Sequence, residues 1–408
     1  MNSGKFSIAL RAVAAAAMLM VAVPGMTAPK QQLSAEVGKP LQEAQAALGS
    51  KDYKTALAKI KEAEGKSKKS PYETYVISQM RGAAAAGAGD MATAAASFEA
   101  ALATGQVPPE DALKLQETVV QVYYSAKNFP KAIAALDKYK AMGGNKPAVL
   151  GLAPQALYLG GKYAEAAKEL SAQIIELEKA GKTPTETQLQ LLASCALKQN
   201  DMNAYLAALQ RLCAYYPKKS YWLDLTLRTA GKQGFSDKLT LDVYRLRFAN
   251  GTIERPSDYM EATQLALQAG LPGEAQKYLE EGYKAQQLGT GADASRHERL
   301  KKLVLKSVAD DKAILAQADK QAASAPSGDP LVATGLNYIG YGEFDKGIKM
   351  MQDGVKKGGL KNADHAKLHL GYALMKAGRK AEAVAAFKTV AGKDGSADLG
   401  KLWVIQLR

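Results

Sequence analysis

The chain has 408 residues, with 54 Lys and Arg against 40 Asp and Glu, which gives a formal net charge of +14 at pH 7. Apolar residues make up 47% and charged residues 23%, a composition that excludes disordered, collagen-like and polytopic membrane proteins. Two cysteines exclude a disulfide-stapled framework and a Cys₄ metal site, and three histidines leave little material for metal binding or acid–base chemistry. A chain of this length therefore consists of several domains or of a repeat array.

Residues 1–28 have the pattern of a cleaved secretory signal. Two basic residues precede an uninterrupted apolar stretch of 12 residues, Ala12 to Val23, which Pro24 ends. A membrane-spanning helix needs about 20 residues, whereas the core of a signal has about 7–15. We therefore expect export to a bacterial periplasm, with cleavage within residues 25–28.

Past residue 40 one pattern recurs: a polar turn, usually an aromatic residue or Met, a small residue three positions on, and a large apolar residue four further. The position three after the aromatic residue or Met falls at residues 56, 94, 132, 166, 205, 275, 347 and 383, and is small everywhere except at Tyr205. The separations are 34–39 residues, except for two gaps of 70 and 72 that each span about two periods. Such a period is typical of helix–turn–helix repeats, and here it predicts about ten of them.

The partner helix usually also carries a small residue at the position where the two helices would meet. Twelve residues before the repeat's small residue, the sequence has Ala44, Gly82, Ala193, Gly335 and Gly371. Antiparallel helices approach closely only where one of them carries Ala or Gly, and the large residue one turn later would fill the groove between hairpins. The sequence therefore predicts antiparallel helix pairs.

These residues resemble the tetratricopeptide repeat (TPR) family, whose pattern places Leu-Gly, Tyr, Ala, Phe and Pro at fixed offsets. The last repeat has Leu370-Gly371, Ala383 and Phe387 at matching positions. The resemblance covers about residues 35–393. It implies an all-α fold, a right-handed superhelical solenoid of about ten antiparallel helix pairs in which each pair packs only on its neighbours.

Breaks in the pattern divide the predicted array. Its parts are a signal peptide (1–28), an N-terminal TPR-like array of about seven repeats (29–285), a degenerate helix pair that acts as a joint (286–328), and two repeats plus a C-terminal capping helix (329–408). The predicted pair in the joint runs from Arg296 to Ala323 between Gly- and Pro-containing stretches. In the fourth repeat, Gly151 and Pro154 fall inside the first helix, where we expect a bend.

In the resembled family, ligands lie along the concave face that the first helices form. The register projects onto that face a set rich in Gln and Tyr: Gln79, Lys114, Glu117, Gln121, Tyr124, Gln155, Tyr158, Gln190, Ser194, Gln264, Gln268, His365 and Tyr372. Gln amides can pair with an extended peptide backbone, and Tyr adds flat contact area; the alternative is that these side chains are simply solvated. Tyr124 and Tyr158 occupy equivalent positions of adjacent hairpins, so we expect their rings to line one groove without contributing to the core.

The sequence lacks a complete set of residues for catalysis or cofactor binding. His365 and His369 have a spacing that can bind a metal, but no further ligands complete the site, so we expect neither a metal nor a cofactor. No nucleophile–base set stands out, so we predict that the protein is not an enzyme. Cys195 and Cys213 are staggered by about 9 Å on opposite helices of the fifth hairpin, beyond the reach of a disulfide, which predicts two buried free thiols.

The positive charge is spread over short lysine runs, whereas a nucleic-acid reader would concentrate it on one face with aromatic residues. We therefore expect no nucleic-acid partner; contact with an anionic membrane surface or an acidic partner is the alternative to simple solvation. The function that fits best is a periplasmic scaffold or adaptor that binds a protein or an extended peptide.

A narrower resemblance concerns the stretch from Tyr216 to Trp222, with Pro217-Lys218 and Tyr221-Trp222. It resembles a segment of periplasmic TPR proteins that accompany TonB energy-transduction systems, which implies an envelope transport complex as the partner. An envelope assembly factor or a glycan-binding protein that uses the basic surface is the alternative, and an enzyme is a remote one.

Overall fold

The computed structural model describes residues 32–408, all of whose regular structure is helical. The predicted signal peptide lies outside these residues. The α-helices are α1 (Ala35–Gly49), α2 (Tyr53–Glu64), α3 (Pro71–Gly87), α4 (Met91–Ala103), α5 (Pro109–Ser125), α6 (Phe129–Ala141), α7 (Pro147–Leu150), α8 (Leu152–Leu159), α9 (Tyr163–Lys179), α10 (Glu186–Lys198), α11 (Met202–Tyr215), α12 (Lys219–Ala230), α13 (Thr240–Ala249), α14 (Pro256–Gln268), α15 (Pro272–Lys284), α16 (Ala294–Ser324), α17 (Asp329–Tyr341), α18 (Phe344–Lys357), α19 (Ala363–Lys376), α20 (Lys380–Lys388) and α21 (Ser396–Gln406). A 3₁₀ turn, Asp237–Leu239, precedes α13. The predicted all-α class is confirmed.

The turn inside a helix pair is built from local signals. In the first pair, Lys51 adopts a left-handed φ of 61° and Asp52 then caps α2, its side chain accepting the backbone N–H of Thr55. The third pair repeats this with Lys127 at φ 57° followed by the capping residue Asn128. A left-handed residue ends the first helix and a capping side chain starts the second, so the chain reverses within three or four residues.

The packing inside the pairs confirms the repeat pattern. A Cβ atom added at Gly82 would lie 2.4 Å from the ring of Phe98, and one added at Gly371 would lie 2.6 Å from the ring of Phe387. The partner helices therefore approach so closely that only glycine fits beneath these rings. The small and large residues of the pattern that are buried include Ala56, Ile60, Ala94, Phe98, Ala132, Leu136, Ala166, Leu170, Ala275, Leu279, Ala383 and Phe387.

Two predictions about single helices have opposite outcomes. The first helix of the fourth repeat is interrupted at Gly151, which separates α7 from α8, as the expected bend requires. The predicted helix pair between Arg296 and Ala323 is wrong, because α16 is one continuous helix of 31 residues. Neither Gly nor Pro occurs within α16, so nothing in this segment ends the helix halfway.

The chain divides into two compact units, with the boundary between Lys182 and Thr183. We call the described part of the first, residues 32–182, the N-terminal unit and residues 183–408 the C-terminal unit. The N-terminal unit contains α1–α9 and the C-terminal unit contains α10–α21. The joint predicted at residues 286–328 lies inside the C-terminal unit, and its role as a joint stays a prediction.

Each pair was expected to pack only on its neighbours, and in the C-terminal unit this is wrong. Helix α21 packs on α11 and α13, and α17 packs on α15 across the long helix α16. Lys232 and Asp398 form an ion pair of 2.8 Å, and the backbone N–H of Ser236 donates to the carbonyl of Asp394. Because α16 has no partner helix of its own, the last repeats fold back onto earlier ones and close this unit.

The predicted C-terminal helix is present as α21 and supplies much of this closure. Trp403 is almost fully buried, and its ring stacks on Phe387 with 5.6 Å between the ring centroids. In the fifth hairpin, Cys195 and Cys213 are buried and unbridged, as predicted. Burial raises the pKa of the Cys213 thiol to about 12, which makes it unreactive in the folded chain.

Candidate functional site

Most of the predicted groove residues lie on first helices and keep some solvent exposure. In the N-terminal unit these are Gln79 on α3, Lys114, Glu117, Gln121 and Tyr124 on α5, and Gln155 and Tyr158 on α8. In the C-terminal unit they are Gln190 and Ser194 on α10, Gln264 and Gln268 on α14, and His365 on α19. Two of the predicted positions, His365 and Tyr372, have partners that conflict with a groove role.

In the N-terminal unit, polar side chains connect the first helices of the third and fourth repeats. The Tyr124 hydroxyl on α5 donates to Oε1 of Gln155 on α8 at 2.9 Å. On the same face Gln121 donates to Glu117 at 3.3 Å, and Glu117 also pairs with Lys146 at 2.5 Å. These five residues form a row of mutually satisfied polar groups, which we call the α5–α8 row.

Tyr124 and Tyr158 do occupy equivalent positions. Each ring packs edge-on against the aromatic residue that starts the next helix, with centroid distances of 5.9 Å to Phe129 and 5.3 Å to Tyr163. Tyr124 also packs against the buried core of this unit, and burial raises the pKa of its phenol. The expectation that Tyr124 is not needed for core packing is therefore wrong. Among the described residues, the Tyr158 hydroxyl has no hydrogen-bond partner.

The segment around Pro217 forms a surface cluster at the start of α12. Lys218 pairs with Glu186 at 2.5 Å and lies 5.7 Å from the centre of the Tyr221 ring. The hydroxyl of Tyr221 accepts from Nε2 of Gln190 at 2.6 Å and donates to Glu186. Trp222 is instead buried in the core. The predicted groove residue Gln190 thus belongs to this cluster.

A cleft lies in the C-terminal unit, between α14 and the first turn of α16. Its volume is about 470 Å³, and it contains two of the predicted groove residues, Gln264 and Gln268. The other lining residues are Pro256, Ser257, Met260, Glu261, Leu265, Asp293, Arg296 and His297. Helix α14 provides one wall because its residues 257, 261, 264 and 268 recur at helical spacing and share one face. We call this cavity the α14–α16 cleft.

His297 is the one titratable side chain of the cleft that is nearly fully buried, at 3% exposed. The backbone N–H of Gly289 donates to its Nδ1 at 3.1 Å, so a neutral ring carries its proton on Nε2. Neither Asp293 nor Arg296 has an ion-pair partner among the described residues. Glu261, by contrast, accepts a hydrogen bond from Tyr244.

The structure corrects the predicted roles of His365 and Tyr372. His365 is largely buried and its Nε2 lies 2.7 Å from Asp394, so its ring is held by a carboxylate of its own unit. Tyr372 is buried between Trp403 and Arg245, whose guanidinium lies 4.9 Å from the centre of its ring. Neither side chain is available as an open groove contact, because the folded-back repeats cover this face.

Tyr372 borders a buried ionic network that the sequence analysis did not identify. Arg245 is 1% exposed and pairs with Asp242 and with Glu274, each at 2.7 Å. His369 adds a contact of 3.1 Å to Asp242. Burial alone would raise the pKa of Asp242, but His369 and Arg245 lower it below its usual range. We call these residues the Arg245 network; it ties α19 to α13 and α15.

The described residues contain neither a cluster of metal ligands nor a helix that could span a membrane. Within residues 32–408 no group of three or more His, Cys, Asp or Glu side chains could hold a metal ion, and His365 and His369 each contact a separate carboxylate. None of the helices in that range combines the length and apolar character that a bilayer crossing requires.

Part of the cleft could have been found from sequence. Ser257, Glu261, Gln264 and Gln268 follow the spacing of one helix face, which the projection used only for the last two. Asp293, Arg296 and His297 face the cleft only because α16 begins at Ala294, and no local signal fixes that start. The helix has no capping hydrogen bond from its N-cap side chain.

No protein-family model matches the sequence, and no curated protein is similar to it. A tetratricopeptide repeat protein from Parabacteroides merdae is a similar solved structure, with 11% identity, coverage of 83% of this chain and 99% of that chain, and a TM-score of 0.31. The yeast Tom70 structure shares 12% identity over 91% of this chain and 96% of that chain, with a TM-score of 0.25. The pentatricopeptide repeat protein PPR10 from maize shares 14% identity over 98% of this chain and 66% of that chain, with a TM-score of 0.30.

Proposed function

We propose that this protein is a binding scaffold that holds another protein, or an extended peptide, against the first-helix face of its N-terminal unit. The observation that carries the proposal is the α5–α8 row. Its polar groups satisfy one another between two adjacent repeats, so the face is ordered before a partner arrives. An ordered face loses less conformational entropy on binding than a set of freely rotating side chains.

The chemistry of this face suits a polypeptide backbone. The amides of Gln121 and Gln155 each offer both a donor and an acceptor, the pair that a peptide group requires. The Tyr158 hydroxyl is unpartnered among the described residues, and Tyr is enriched in protein interfaces. The carboxylate of Glu117 is neutralised by Lys146, and Lys114 on the same helix pairs with Asp111. A partner could therefore bind without leaving a buried charge unpaired.

We place this scaffold in the periplasm, in an envelope transport complex of the TonB type. The apolar stretch of residues 12–23 supports export, and the Pro217-Lys218 and Tyr221-Trp222 segment supports the narrower assignment. A glycan or an anionic surface is the second candidate partner, supported by the net charge of +14. We propose neither catalysis nor nucleic-acid binding.

A photo-crosslinking amino acid at residue 158 tests the binding face. We expect it to capture a discrete protein in living cells, whereas the same amino acid at Lys168, exposed on the second helix of that repeat, should capture none. Equal capture from both positions, or capture of RNA from position 158, would reject the proposed face.

A C-terminally tagged full-length chain tests the location. It should appear in the periplasmic fraction, shortened by about 25–28 residues as a cleaved signal requires. An intact species in the cytoplasm would contradict the proposed location while leaving the crosslinking result valid.

A further inference from the structure

Two unpaired opposite charges border the α14–α16 cleft. Asp293 precedes α16 and Arg296 lies in its first turn, three residues later. Some i,i+3 neighbours of opposite charge in the described residues close into ion pairs, as Arg379 and Glu382 do at 2.6 Å, but Asp293 and Arg296 do not. Neither Asp293 nor Arg296 has an ionic partner in the described part of the chain, so each is free to bind a group of opposite charge.

His297 adds a fixed hydrogen-bond donor beside Arg296. Because Gly289 donates to Nδ1, the neutral ring presents an N–H at Nε2, and this atom has no partner among residues 32–408. His297 is only 3% exposed and lines the cleft. This atom is not among the fully buried unpartnered polar atoms of the described residues, so solvent reaches it, and a ligand oxygen in the cleft would accept its N–H in place of water.

The opposite wall supplies both polar and apolar contacts. Gln264 and Gln268 on α14 have unpartnered side-chain amides, which can donate or accept. Met260, at 5% exposed, and the partly buried Leu265 also line the cleft and provide its apolar contacts. The volume of about 470 Å³ falls within the range of small-molecule sites.

We propose that the α14–α16 cleft binds a free α-amino acid with an apolar side chain. Arg296 and His297 hold its carboxylate, Asp293 holds its ammonium group, and Met260 with Leu265 contacts its side chain. Arginine suits the carboxylate because its guanidinium can donate two parallel hydrogen bonds to the two oxygens. This site lies in the C-terminal unit and is independent of the protein-binding face proposed above.

A zwitterion fits these residues better than a purely anionic or an uncharged ligand. A phosphate would meet the carboxylates of Asp293 and Glu261 at the same opening. A saccharide would leave Asp293 and Arg296 without ionic partners, and no Phe, Tyr or Trp occurs among the described residues that line the cleft. Only a ligand that carries both charges satisfies both residues.

The test uses the purified full-length chain. The twenty standard L-amino acids and glucose are screened by thermal shift, since a ligand that binds only the folded state raises the melting temperature. The best ligand is then compared by calorimetry with its N-acetyl and amide derivatives, each of which lacks one charge. We expect an apolar amino acid to bind and each derivative to bind about tenfold more weakly or worse, because each loses a charge-assisted hydrogen bond.

Variants of the two charged residues test whether each of them contributes to ligand binding. Arg296→Gln and Asp293→Asn should each weaken binding about tenfold or more, whereas Arg299→Gln should not change it, since Arg299 is exposed on α16 and does not line the cleft. His297→Asn keeps an acceptor for the N–H of Gly289 but removes the Nε2 donor, and it should also weaken binding.

Tryptophan fluorescence checks that each variant folds, because both tryptophans of the chain, Trp222 and Trp403, are buried in the C-terminal unit. The proposal is overturned if no amino acid binds the folded wild-type chain, if the N-acetyl derivative binds as well as the parent, or if glucose binds in place of an amino acid. Equal binding by the wild type and the Arg296 and Asp293 variants would overturn it as well. Crosslinking from position 158 is read separately, so either proposal can fail alone.

Discussion

The two units of this chain use the same contact between paired helices but differ in how they treat charge. In the N-terminal unit, ion pairs such as Arg81–Glu64, at 2.6 Å, keep about a third of each side chain exposed. In the C-terminal unit, Arg245 is 1% exposed and binds two carboxylates from different helices. Local repeat packing is therefore enough to build the first array, whereas the second also depends on ionic contacts between residues far apart in sequence.

The two units differ in their ionic contacts because the C-terminal unit contains α16, a helix that lacks a partner helix. Every repeat of the N-terminal unit has a second helix that covers the first, so each pair meets only adjacent pairs. The C-terminal unit contains α16, which has no such partner, and α17 packs past it onto α15. A buried ion pair adds little stability compared with apolar packing, but it penalises any arrangement that separates its members. We infer that the Arg245 network selects this one folded-back arrangement.

Arg245→Met should cause the largest loss of stability, and this loss should fall on the C-terminal unit. It leaves Asp242 and Glu274 buried without their cation, so we expect the C-terminal unit to lose about 3–5 kcal/mol of unfolding free energy. Urea unfolding followed by tryptophan fluorescence measures this unit alone. The matched change Arg81→Met in the N-terminal unit removes a partly exposed pair and should cost about 1 kcal/mol or less by circular dichroism. Similar losses from both variants would mean that the two units do not treat charge differently.

Acidification should give the second largest effect, a loss of unfolding free energy in the N-terminal unit. Ser34 and Ser70 donate hydrogen bonds to Glu73, and the contact with Ser34 contributes most to lowering its pKa to about 2 from 4.5. A carboxylate with a lowered folded-state pKa stabilises the fold above its unfolded pKa and loses that contribution as the pH falls through the folded value. The N-terminal unit should therefore lose about 2–3 kcal/mol between about pH 4.5 and pH 2.

Circular dichroism and fluorescence, recorded together during acid titration, separate the two responses. Glu73→Gln should flatten the acid dependence seen by circular dichroism and leave the tryptophan signal unchanged, since both tryptophans lie in the other unit. In the C-terminal unit, burial would raise the pKa of Asp242, but His369 and Arg245 lower it instead. A variant whose fluorescence titration moves together with its dichroism would show that the units unfold as one.

Contacts between residues close in the sequence could be predicted from the repeat pattern, whereas contacts between residues far apart in the sequence could not. Gly82 and Phe98 are 16 residues apart, and the same pairing recurs in every well-formed repeat, so the period and the core residues were readable. Tyr372 was placed on an open face because its contact with Glu274 spans 98 residues. Its burial depends on the last repeats folding back, which no local pattern encodes. The helix pair predicted between Arg296 and Ala323 failed similarly, because a period of about 35 residues suggested two helices where α16 continues.

Replacing a closely packed glycine should destabilise both units by similar amounts, because both units use the same close contact between paired helices. Gly82→Ala in the N-terminal unit and Gly371→Ala in the C-terminal unit each place a methyl group less than 3 Å from a phenylalanine ring. We expect each to cost about 1–3 kcal/mol through overpacking, measured by urea unfolding. Gly49→Ala is the control, since a Cβ atom there meets no atom within 4 Å. A large cost at only one of the two positions would mean that the helix pairs are not equivalent.

The smallest expected effect separates stability from binding within the N-terminal unit. Tyr158→Phe removes a hydroxyl that has no partner among the described residues, so the unfolding free energy should change by about 0.5 kcal/mol or less. Tyr124→Phe removes the hydrogen bond to Gln155 and should cost about 0.5–1.5 kcal/mol. If the first-helix face binds the partner, Tyr158→Phe should still reduce capture by a photo-crosslinker at Gln121. A Tyr158→Phe variant with unchanged stability and unchanged capture would show that the hydroxyl is simply solvated, and one that loses stability would show that the ring is held by contacts of its own hydroxyl.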